Sequence, residues 1–149
     1  MIIPTMNSEE LVREIMKDYP IVYRKGMYAL EKLRRPALKS VNKHVQRIYD
    51  YKSKNNNNWI IICDYYVKDP SWMVVVHFLD KWGFEAYLVD DRQRTLYHYS
   101  GHFLERYNER FLHEPELSKT ELLKRFLSKK ASAYIEVHPE TEKYTHPVF

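Results

Sequence analysis

Residues 59–99 read WIIICDYYVKDPSWMVVVHFLDKWGFEAYLVDDRQRTLYHY, and this stretch decides the fold. Four runs within it, Trp59–Tyr66, Trp72–Leu79, Phe84–Val89 and Thr95–Tyr99, are rich in β-branched and aromatic residues. Such side chains fit a pleated, half-buried surface. Lys68-Asp69-Pro70, Asp80-Lys81-Trp82-Gly83 and Asp90-Asp91-Arg92-Gln93 separate the runs, and all three have turn composition. Connections this short join antiparallel neighbours and leave no room for a crossover helix. The sequence therefore predicts a four-stranded antiparallel meander. Its second strand is apolar on both faces apart from His77, which predicts a central position.

Upstream, the apolar period changes to that of helices. Asn7 or Ser8 caps the first, Asn7 and Glu10 have capping-box spacing, and Leu11, Val12, Ile15 and Met16 form the inner stripe. This helix is expected to end at Tyr19-Pro20, because a residue before proline avoids helical angles. A second helix is expected over Ile21–Arg35, with Met27, Leu30 and Leu33 inward and Gly26 as an unfavourable member. Pro36 either breaks the ladder or opens a new helix at its first position. From Ala37, Leu38, Val41, Val45, Ile48 and Tyr49 recur at three- and four-residue steps, which predicts a third helix. Asn55–Asn58 reads as a polar loop.

Downstream, Gly101–Leu112 carries Phe103, Leu104, Tyr107 and Phe111 on one side. The following helix has Ser118 as cap, Glu121 at the capping-box position, and Leu117 and Leu122 as a hydrophobic staple. Ala133–Val137 has the composition of a short final strand. The expected class is α+β in one domain: a helical, basic region over 1–54, the meander over 59–99, helices over 100–130, and a short strand and tail over 131–149.

The 149 residues suffice for a core without metal or disulfide staples. Three glycines in the whole chain argue against a Gly-rich phosphate loop. The lone Cys63, set among Ile61, Ile62 and Tyr65, is expected to be a buried, inert thiol in a reducing compartment. No signal peptide or apolar span of about 20 residues is visible, so the expected location is cytoplasmic, away from membranes. No cofactor fingerprint is present. No metal site is expected, because Ser100-Gly101 lies between His98 and His102, and His138 and His146 lack ligand spacing.

The net charge of +4 is unevenly placed. Val22–Lys54 holds ten Lys or Arg against two acidic residues, a local net charge of +8. Such asymmetry points to an anionic partner, RNA or another polyanion. Arg24, Lys25, Arg34, Arg35, Lys39, Lys43 and Arg47 are the candidate phosphate contacts, and Tyr23, Tyr28, Tyr49 and Tyr51 the candidate base-stacking rings. A solvated helix using lysines for solubility would carry the same charges.

A second constellation follows the last strand of the meander. At 100° per residue His102, Arg106, Glu109 and His113 fall on one stripe of a helix, opposite Phe103, Tyr107 and Phe111. With His98 just before it, the set His98, His102, Arg106 and Glu109 has the chemistry to cleave a phosphodiester. Arginine would stabilise phosphate charge, and imidazole or carboxylate would move a proton. A small metal-independent ribonuclease is one expectation. A non-catalytic module that binds a protein through basic helices and exposed tyrosines is the other.

Overall fold

The computed structural model describes residues 1–132. Five antiparallel strands form one sheet in the order β1-β2-β3-β4-β5, with β1 His44–Lys52, β2 Asn58–Tyr66, β3 Asp69–Asp80, β4 Gly83–Asp90 and β5 Thr95–Ser100. The last four are the expected meander, and β3 is central. Helix α1 (Ser8–Glu31) packs on one face, and α3 (Gly101–Tyr107) and α4 (Lys119–Ser132) pack on the other. The short α2 (Arg34–Lys39) adjoins β1. Ala133–Val137 lies outside the described residues.

The two faces of the sheet follow from strand alternation. Trp59, Ile61 and Cys63 of β2 and Val74 and Val76 of β3 meet Ile15, Tyr19 and Val22 of α1. On the other face, Ile60, Ile62, Val75, Ala86 and Leu88 meet Phe103, Leu104, Leu122 and Phe126. Each Val, Leu, Ile or Phe among them, removed from water, contributes about 1.5–3 kcal/mol. Cys63 is fully buried in this core, and burial pushes its thiol up to about 11, well away from a nucleophile's range.

Two helical expectations are corrected. The first helix does not end at Tyr19-Pro20; α1 runs through to Glu31 with Pro20 inside it. Pro20 is exposed, whereas Tyr19 and Val22 on either side are buried. Burial of the neighbouring side chains offsets a cost of about 3 kcal/mol for the missing donor. Gly26 has a reason in this helix: a Cβ there would stand 2.4 Å from two ring carbons of Trp72. The helix lies close on the sheet because that side chain is missing.

The third expected helix is the second correction. It stops at Lys39, and residues 44–52 form β1 instead. The Ser40 hydroxyl accepts from the His44 N–H at 2.9 Å, and Lys43 turns the chain with φ 54°. From His44↔Tyr66 to Lys52↔Asn58, β1 then pairs with the whole of β2. Val41, an expected core position, is 98% exposed.

The caps read from sequence are present. Asn7 Oδ1 accepts from the Glu10 N–H at 2.9 Å, and Ser118 Oγ accepts from the Glu121 N–H at 3.2 Å. Gly101–Leu112 is helical throughout but closes as a π-turn over Asn108–Leu112. There the Asn108 side chain bonds both backbone groups of Glu114, at 2.9 and 3.0 Å. Among the described residues no helix is long and apolar enough to cross a membrane.

Candidate nucleic-acid interface

The seven cationic side chains singled out in the sequence, Arg24, Lys25, Arg34, Arg35, Lys39, Lys43 and Arg47, are all exposed. They sit on the C-terminal half of α1, on α2, and on or just before β1. Lys25 Nζ stands 4.8 Å above the ring of Tyr51, which ties the helix to the edge strand. Lys32 Nζ, at the C-cap of α1, stands 4.3 Å above the ring of Tyr28 in the same helix. Lys43 Nζ donates to the Leu38 carbonyl at 2.5 Å, and Arg47 donates to the Gln46 carbonyl at 2.8 Å.

None of the seven forms an ion pair among the described residues. Some basic residues elsewhere are matched: Lys17 with Glu14 at 3.5 Å, Lys124 with Asp50 at 2.9 Å, and Arg125 with Glu114 at 3.1 Å. No acidic side chain of the described residues therefore neutralises the positive charge of this sector by direct pairing. Its aromatic rings are accessible too, Tyr28 most of all at 62% exposed, with Tyr23 and Tyr49 open to water over about a third of their surface. Tyrosines in such a setting offer a π-face with a wet hydroxyl edge.

The candidate catalytic residues do not all lie on one face of the sheet. His102, Arg106 and Glu109 are exposed on α3 and on the π-turn that continues it. None of their side chains forms a hydrogen bond or ion pair among the described residues. His98 belongs to the opposite face of the sheet. Its ring stacks on Tyr87 at 4.7 Å, and its Nε2 is hydrogen-bonded to Glu85 Oε2. Strand alternation is the reason: Tyr99 points toward α3 and Phe103, so His98 must point away.

Two polar groups were missed as site candidates. Asp64, 1% exposed in β2, holds His44 Nε2 at 2.5 Å through Oδ1, and Gln46 reaches the same oxygen at 3.4 Å. The His44 ring also stacks on Tyr66 at 3.8 Å. Asp64 Oδ2 has no hydrogen-bond partner. The signal was an acidic residue directly after four apolar residues of a strand, IIIC, in a sequence otherwise selecting for burial. The other is His77, which sequence marked only as the polar interruption of the central strand. It stacks on Phe84 at 5.6 Å. Burial holds its imidazole below the ordinary histidine value; nearby Asp50 opposes the shift and Lys124 adds to it.

Among the described residues no three His, Cys, Asp or Glu side chains converge as a metal site; His138 and His146 lie outside them. Comparison with protein-family models, with curated proteins and with solved structures finds no match to this chain.

Proposed function

We propose that this chain binds single-stranded nucleic acid, RNA in the first instance, through the basic, tyrosine-bearing face of α1, α2 and β1, and does so without cutting it. The observation that carries the proposal is the set of seven exposed cationic side chains with no acidic partner in the described structure. Phosphates would meet the cations, and unpaired bases would stack on tyrosines such as Tyr28. Binding alone is favoured over cleavage because His98 faces the other side of the sheet from His102, Arg106 and Glu109. General acid–base catalysis needs such groups within hydrogen-bond reach of one substrate. A buried, unpaired Cys63 fits a reducing compartment, and a cytoplasmic location is proposed on that ground.

The test is fluorescence anisotropy of a labelled single-stranded RNA at about 50 and about 200 mM salt, followed by a gel of the same RNA. The expected result is binding that weakens steeply with salt, and intact RNA. Fragmentation abolished by His102→Ala would restore the α3 stripe as a catalytic site. Absence of binding at the lower salt would sink the proposal. It would leave a protein partner for this face, where exposed Met27, Leu38 and Val41 supply apolar contact.

A further inference from the structure

Two adjoining clefts open beside the β1–β2 turn, where the N-terminal residues Met1 and Ile2 and the first turn of α4 meet the sheet. One is about 490 Å³ and the other about 440 Å³, and both fall within the range of small-molecule sites. Asn58, His77 and Thr120 line both, so the two are chambers of one groove. Asn58 and His77 lie opposite each other in the β2–β3 pairing, and Thr120 comes from the first turn of α4. A rigid strand pair and a helix end therefore set the waist of the groove.

The chambers differ in chemistry. Leu79 and Phe84 give the larger one an apolar wall, Ile2 and Phe78 border it from the α1-side core, and Asn56 and Asn57 stand beside it. Asp50, Lys52 and Lys124 give the smaller one its charge. Tyr51 borders this charged chamber, while its ring lies on the α1 side of the sheet under Lys25 at 4.8 Å. At the waist the His77 imidazole stacks on Phe84 and forms no hydrogen bond among the described residues. Its lowered proton affinity keeps it neutral near pH 7, with one nitrogen to donate and one to accept.

A ligand complementary to this groove has a flat polar ring at one end and an anionic, hydroxyl-bearing group at the other. We propose that the groove is a binding site for one ribonucleotide unit. Its base lies against Phe84 and His77, its ribose hydroxyls reach Asp50, which Lys124 Nζ holds at 2.9 Å, and its phosphate reaches Lys52. Asp50 is the discriminating group. A carboxylate would repel a bare phosphate but accepts from ribose hydroxyls, which deoxyribose presents in smaller number. This inference rests on the nucleic-acid reading above and names the subsite where a single unit of the strand is held.

Titration calorimetry of the full chain with the four ribonucleoside 5′-monophosphates, their 2′-deoxy forms and inorganic phosphate tests it. At least one ribonucleotide is expected to bind. It should bind at least tenfold more weakly to His77→Ala, and Asp50→Asn should remove the preference for ribose over deoxyribose. Asp50 has an exposed side chain, so the second variant reports on the site even if His77→Ala unfolds. No binding of any ribonucleotide at millimolar concentration overturns the proposal. So does inorganic phosphate binding as well as the nucleotides, or affinity unchanged in both variants. RNA-strand binding measured on the same preparation separates the two readings. Strand binding without nucleotide binding overturns the groove alone, and nucleotide binding without strand binding overturns the basic face alone.

Discussion

The indole N–H of Trp59 donates to Oδ2 of Asp18 at 2.9 Å, joining the start of β2 to the middle of α1. Asn57 reaches the same oxygen at 2.8 Å, and Asn55 reaches Oδ1 at 2.7 Å. A polar loop of asparagines in the sequence is thus the donor set of a carboxylate that is 3% exposed. Burial alone would raise the Asp18 carboxyl, but donors from Ser53, Trp59, Asn57 and Asn55 outweigh it and hold it below its ordinary value. Because the folded value is depressed, Asp18 contributes stability that is fully present above the unfolded value of about 3.9. That stability disappears as pH falls through the lower folded value. Asp18→Ala is expected to cost about 3 kcal/mol at pH 7, since it leaves buried donors unmatched. Urea melts at pH 7 and pH 3 check both points, because the variant should lose less stability on acidification than the parent.

Gly26 and Trp72 make a second measurable pair. A methyl group at position 26 meets the Trp72 ring at 2.4 Å, so Gly26→Ala should destabilise the fold by about 1–3 kcal/mol through overpacking. Helix propensity alone predicts the reverse sign, a gain of about 1 kcal/mol. Thermal melts of Gly26→Ala, alone and combined with Trp72→Leu, decide between them. Relief of the loss by the second substitution is expected.

His44 and Asp64 should couple strongly. His44→Ala strands a carboxylate that is 1% exposed and is expected to cost about 2–3 kcal/mol. Adding Asp64→Asn removes the stranded charge and should recover part of that loss. Strict additivity in this double-mutant cycle would mean that the pair is incidental to stability.

For the basic face, the combined Arg34→Ala, Arg35→Ala and Lys39→Ala variant should bind single-stranded RNA more weakly at every sequence tested. Removing one cation that neutralises a phosphate should make the slope of log affinity against log salt shallower by about 0.7, hence about 2 for all three. An unchanged slope would take these three residues out of the interface. The triple variant should melt like the parent, because all three side chains are exposed.

What the sequence determined by itself was local. The meander was legible because its strands alternate with turns too short for anything but antiparallel return. Asn7 and Ser118 were legible as caps because a side-chain oxygen three residues before a free N–H needs no distant partner. Clustering of charge over Val22–Lys54 was likewise a property of the chain alone. Tertiary structure decided whatever depended on a neighbour. Val45, Ile48 and Tyr49 satisfy helical spacing, but β2 offers residues 44–52 a complete row of partners, and pairing along the whole strand prevailed. Pro20 stays inside α1 because the sheet buries the turns on both sides of it. His98 and His102 are four apart in sequence, yet strand alternation sends one to each face of the sheet. His77 became a candidate only when Asn58, Thr120 and Lys124 were brought around it from a strand and a helix distant in the chain. Periodicity and capping act over a few residues, whereas a site is made by groups whose proximity exists only after the sheet has closed against its helices.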